Sequence, residues 1–86
     1  MEIQSIPDLE EPIVNILKNF GGSARLKEIA DIFRIQYPDV IKQPFFQEIV
    51  DGEPRWRDWI QRCRYWYLVP KGIVKPSRKR GIWELA

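Results

Sequence analysis

Residues 72–85 read Gly72-Ile73-Val74-Lys75-Pro76-Ser77-Arg78-Lys79-Arg80-Gly81-Ile82-Trp83-Glu84-Leu85, and the fold turns on how they are read. Ile73 to Lys75 and Ile82 to Leu85 form two short strands around the turn Pro76 to Gly81. Side chains alternate across a strand, so Trp83 and Leu85 share a face that can close onto a helical core. The tip carries three consecutive cations and ends in glycine, so it projects charge into solvent.

Upstream, Pro54 to about Val69 is the strongest helix. At about 100° per residue, Trp56, Trp59, Ile60, Cys63, Trp66 and Tyr67 fall in one arc of about 120°. Arg57, Asp58, Gln61, Arg62, Arg64 and Tyr65 take the remainder. The tryptophan stripe is a core face, and Cys63 within it is a small buried hydrophobe.

A first helix spans Pro7 to Phe20, with Leu9, Ile13, Ile16, Leu17 and Phe20 on one stripe. Asp8, Glu10 and Glu11 near its start and Lys18 near its end suit the helix dipole. Pro12 is accommodated if the helix proper begins near Leu9 or Glu10, and Gly21-Gly22 stops it. Ser23-Ala24 is a short bridge strand. A second helix runs from Arg25 to about Tyr37, burying Leu26, Ile29, Ala30 and Phe33, and Pro38 ends it. Between the second and third helices, Pro44, Phe45, Phe46, Ile49 and Val50 suggest a short extra helix, with Asp51-Gly52 a turn. The two phenylalanines read as lids on the core.

This order predicts a mainly α (α+β) chain forming one domain over residues 1–86. The architecture is a winged helix-turn-helix, with three helices plus a C-terminal two-stranded β-hairpin wing. Such a fold places its third helix in the DNA major groove and its wing on the minor groove or backbone.

Charge points the same way. From Pro54 onward nine Lys and Arg face two acids, whereas the preceding residues hold five basic against ten acidic. The chain's net +2 therefore divides into −5 and +7. A basic pole on a helix and a hairpin is the electrostatic footprint of a nucleic-acid binder.

Several classes are excluded or disfavoured. With no histidine, a Cys/His zinc site and histidine-based triads are excluded. The acids form no constellation with assignable catalytic roles, so neither an enzyme nor a cofactor is expected. One cysteine cannot make an internal disulfide and suits a reducing cytoplasm. No apolar run approaches the ~18 residues of a membrane span, and Met1 to Ile6 lacks a signal-peptide pattern.

The segments Gly21 to Arg25 and Gly72 to Leu85 resemble the N-terminal domain of Mrr-type restriction endonucleases. That family is similar in its closing pattern of glycine, two aliphatics, a proline-and-arginine turn, glycine, then aliphatic, aromatic, polar, aliphatic. The likeness covers about twenty residues as motif. The family's Arg-Val-x-Trp-Ala block lacks a clean counterpart among Trp56 to Cys63, the turn is one residue longer, and Pro44-Phe45-Phe46 replaces a Leu-Pro-Ser-Gly-like segment. The resemblance implies a targeting module of a restriction-type nuclease, with a covalently linked catalytic domain beyond this chain. It also implies a prokaryotic, cytoplasmic, nucleoid-associated location.

The expected partner is double-stranded DNA, plain or base-methylated. Arg57 and Gln61, one turn apart, suit direct readout of guanine and adenine. Arg55, Arg62 and Arg64 suit phosphates, and Asp58 orients an arginine or accepts from cytosine. Tyr65 is the helix aromatic available to a methylated base. Lys75, Ser77, Arg78, Lys79 and Arg80 form the wing contacts, with arginine suited to a narrow minor groove. No membrane and no small-molecule substrate is expected. Two alternatives stay open: a winged-helix protein–protein adaptor, in which Glu2, Asp8, Glu10 and Glu11 dock a basic partner, and a small transcription regulator.

Overall fold

The computed structural model describes residues 2–76 and 81–86. The chain enters through a 3₁₀ turn, Ile6–Leu9. The Asp8 carboxylate accepts the backbone N–H of Gln4 at 2.9 Å and of Ser5 at 3.0 Å, and α1 follows over Glu10–Asn19. Pro12 thus lies in the first α-turn, where a missing N–H leaves no bond unmade. The helix closes on Gly21 and Gly22, both at positive φ. Gly22 N–H donates to Leu17 O at 2.8 Å and Gly21 N–H to Lys18 O at 3.0 Å. That crossed pair satisfies the last carbonyls and needs the left-handed backbone glycine adopts freely.

Strand β1 is Ser23–Arg25, and α2 covers Leu26–Gln36. Glu28 caps α2 by accepting the Arg25 N–H at 2.9 Å. Pro38 both ends α2 and opens a one-turn helix, α3, Pro38–Ile41, because proline suits a first helical position. A second one-turn helix, α4, is Pro44–Gln47. The expected extra helix is therefore two, and neither takes in Ile49 and Val50. Those two residues form β2, Ile49–Val50, which pairs antiparallel with β3, Glu53–Pro54. Asp51 and Gly52 at the turn both have positive φ, the tight geometry that matches strand twist.

The third predicted helix splits into α5, Arg55–Cys63, and a π turn, Arg64–Leu68. Val69 N–H reaches back five residues to Arg64 O at 2.9 Å. The wider turn retards the helical phase, and this corrects the arc drawn at 100° per residue. Trp66, placed inside, is 56% exposed, while Arg64, placed outside, is 4% exposed. Leu68, five residues after Cys63, takes the buried position instead.

The closing segment returns antiparallel as β4, Ile82–Glu84. It pairs with β1, in the register Ser23–Glu84, Ala24–Trp83 and Arg25–Ile82. On its other side Val74 bridges Leu85, flanked by Lys75 N–H to Glu84 O at 2.8 Å and Ala86 N–H to Ile73 O at 2.9 Å. The result, among the described residues, is a small α+β domain of five α-helices and two small antiparallel sheets.

One core unites these elements. Ile13, Ile16 and Leu17 of α1, Ile29 and Phe33 of α2, Ile60 and Cys63 of α5, and Trp83 of β4 are all buried. Phe33 stacks on Tyr37 at 4.9 Å and on Trp56 at 6.0 Å. Of the two expected lids, Phe46 is buried but Phe45 stays half exposed. Phe20, at the end of the α1 stripe, is also partly exposed. No helix among the described residues is long and apolar enough to cross a membrane.

Candidate functional site

The expected DNA-facing residues of α5 are not one bare cationic face. Arg55 bonds the Glu48 carboxylate and the Phe45 carbonyl (2.9 Å). Arg62 bonds Asp58 at 2.6 Å and lies 3.7 Å from Asp51, and this pairing strengthens its hold on its proton. Gln61 donates to Glu53 at 2.6 Å. Asp58 is on α5 itself, while Glu48 after α4, Asp51 in the β2–β3 turn and Glu53 of β3 precede α5 in the chain and fold back against it. The charge split along the sequence is thus partly closed in space among the described residues. Lys71 reaches Glu10 at 2.8 Å, and Lys75 reaches Glu84 at 3.5 Å.

Arg64 turns away from solvent altogether. Its Nη2 donates to Ile82 O at 3.3 Å, its Nε has no partner among the described residues, and its guanidinium lies 4.9 Å from the Trp83 ring. Burial makes the charged form harder to keep and lowers its pKa. This corrects its expected place on the exposed arc of the helix. Asp58 is likewise turned to Arg62. Tyr65 is exposed, as expected. Ser77, Arg78, Lys79 and Arg80 lie outside the described residues.

Arg57 is different. Among the described residues no carboxylate pairs with it. It lines an open groove of about 510 Å³ between α2 and the start of α5. Trp56, Ala30 and Ile41 supply apolar wall, and Lys27, Arg34 and Arg57 supply charge. Asp31 is the groove's acid, 3.1 Å from Arg34. Lys27 and Arg34 are functional candidates that sequence reasoning missed. They sit on an α2 whose net charge is unremarkable, and only the packing of α2 on α5 gathers them beside Arg57.

The groove adjoins the start of β4. Leu26 N–H donates to Gly81 O at 3.3 Å, so the point where β4 begins touches the first turn of α2, one residue from Lys27. No protein family, curated protein or solved structure matches the chain. Function is therefore read from the residues of the site itself.

The four N-terminal acids also come together. Glu2, Asp8, Glu10 and Glu11 line a recess of about 310 Å³ with Pro7. Two of them have internal duties, Asp8 toward the backbone and Glu10 toward Lys71. Among the described residues no cluster of His, Cys, Asp or Glu is arranged to hold a metal ion.

Proposed function

We propose that this chain is a winged-helix module that binds double-stranded DNA, with its contact surface centred on the α2–α5 groove rather than on the outer face of α5. The supporting observation is the hydrogen bond from Leu26 to Gly81. It ties the stem of the hairpin to the α2 turn that bears Lys27, next to the groove holding Arg34 and Arg57. The segment joining the two halves of the hairpin reads Ser77-Arg78-Lys79-Arg80, so by sequence its cations follow directly from that stem. The order α1, β1, α2, α5 and paired C-terminal strands suits a helix-turn-helix with a wing, α3, α4 and the β2–β3 hairpin being an insertion before the third helix.

In this reading Lys27, Arg34 and the wing cations neutralise phosphates. Arg57, at the N-terminal end of α5, is the residue placed to reach a base edge. Gln61 is committed to Glu53 and is not part of the readout surface. The narrower reading, a targeting module for a restriction-type nuclease, rests on the sequence resemblance alone. A nuclease domain in the same polypeptide is the observation that would support it.

Fluorescence anisotropy with a labelled random-sequence duplex tests the proposal. If about six phosphates are neutralised, affinity falls roughly 10³-fold between 50 and 200 mM salt. A flat salt response, or no binding at 50 mM, rejects it. Plain and methylated duplexes of one sequence, run side by side, report whether the base modification is read.

A further inference from the structure

The opposite side of α5 carries a second surface of different chemistry. Trp59 is two residues beyond Arg57 and so points to roughly the other side of the helix. Phe45 of α4 packs edge-on against Trp59 at 5.6 Å, and buried Phe46 supports Trp59 from beneath at 5.1 Å. Seven residues along, on the same side, lies Trp66. Phe45 is 50% exposed, Trp66 56%, and Ile49 on the neighbouring β2 68%. The π turn is what brings Trp66 out: in an uninterrupted helix it belongs to the core arc.

An arginine lies over each exposed aromatic ring, Arg55 at 4.2 Å from Phe45 and Arg62 at 5.2 Å from Trp66. The charges that solvent meets most are carboxylates. The Arg55 side chain is 22% exposed and its partner Glu48 62%. Arg62, 35% exposed, is held at 2.6 Å by Asp58, itself 13% exposed, while Asp51, 3.7 Å away, is 83% exposed. The ridge is therefore apolar and aromatic with an acidic margin. Phosphates are repelled by such a margin, and a cationic surface is attracted.

We propose that the Phe45–Trp59–Trp66 ridge, bordered by Glu48 and Asp51, docks a basic, apolar-faced segment of another protein. Aromatic residues and arginine are the types enriched where protein surfaces meet, and exposed apolar patches with polar rims mark such sites. Arg57 and Trp59, two residues apart on α5, lie about 200° apart around the helix, so the groove and the ridge are separate surfaces.

The test titrates the 86-residue protein with a helical peptide bearing leucine on one face and lysine on the other, read by amide and indole NMR shifts. The expected result is perturbation of Trp59, Trp66 and Phe45 with the Arg57 groove unmoved. Replacing the peptide's lysines by glutamate should weaken binding about tenfold or more. Joint Glu48→Lys and Asp51→Lys substitution should also weaken it about tenfold, without lowering DNA affinity. Trp66→Ser, at an exposed position that leaves the core intact, should do the same. Equal binding of the glutamate peptide, or shifts confined to the groove, overturns the proposal. Trp66-dependent self-association in sedimentation overturns it in favour of a second copy, and DNA-induced shifts at Trp66 overturn it in favour of nucleic acid.

Discussion

The Arg64 guanidinium lies 4.9 Å from the Trp83 ring and is 4% exposed, with no carboxylate paired to it among the described residues. That ring face, the Tyr65 ring at 5.4 Å and one carbonyl, Ile82 O, are its compensation. Cation–π attraction of a desolvated arginine is worth about 2 kcal/mol, comparable to the cost of its unpartnered Nε.

Arg64→Met is therefore expected to change stability by no more than about 1 kcal/mol, since an apolar side chain of similar length removes both terms. DNA affinity and its salt slope should not change. A chemical-denaturation curve and an anisotropy titration check the two halves. A fall in the salt slope would return Arg64 to the list of phosphate contacts.

Trp83→Ala should cost about 3–5 kcal/mol, because it empties the largest buried site and strips Arg64 of its ring. Urea unfolding of the variant measures this. A loss below about 1 kcal/mol would mean that β4 does not anchor the core.

Arg57→Glu is expected to weaken DNA binding about tenfold or more and to lower the salt slope by about 1 to 2. Lys27→Glu should act alike. The fold should be unaffected, since neither side chain is buried; circular dichroism monitors that. Unchanged affinity in both variants would remove the groove from the interface.

Two backbone hydrogen bonds to Asp8, from Gln4 and Ser5, hold its carboxyl below the usual range. A group whose folded pKa lies below its unfolded value stabilises the fold above the unfolded pKa, about 3.9. That contribution drains away as pH falls through the folded value. Asp8→Asn should thus be less stable than the parent at pH 7, with the gap closing at pH 3. Paired denaturation curves at the two pH values test this, and a gap independent of pH would contradict it.

Burial pushes the Cys63 thiol up to about 12. At pH 8 almost no thiolate is present, and the side chain is fully buried. Labelling by a disulfide reagent should therefore proceed at the opening rate of the core and become immediate in denaturant. Rapid native labelling would mean that α5 is not packed as described.

Much of this protein was legible in its residues. The stripe Leu9, Ile13, Ile16, Leu17 and the glycine pair after it are local patterns, because helical period and left-handed backbone depend on near neighbours. Trp83 as a core residue followed from strand alternation. The Asp51-Gly52 turn was equally visible. Its strands were not, since two-residue strands have too few side chains to show a period.

The phase error at Trp66 has a definite cause, whereas Arg64, which opens the π turn, is buried by the packing of β4. A projection at one fixed angle carries no provision for a π turn, and one wide turn moves every later side chain around the axis. The lapse over charge is of another kind. Glu48, Asp51 and Glu53 precede Arg55, Arg62 and Gln61 by 7, 11 and 8 residues, yet counting on either side of Pro54 put them in opposing halves.

Sequence alone determined that α1, α2 and α5 are helical, where the first two stop, and that one tryptophan-rich helix and a closing strand share a core. These depend on side-chain period and backbone preference, interactions that span a few residues. The tertiary structure alone decided which cations stay unpaired and which aromatics face water. Coulombic pairing and burial depend on distance in space, and folding brings α4 and the β2–β3 hairpin against α5 while opening a groove between α2 and Arg57.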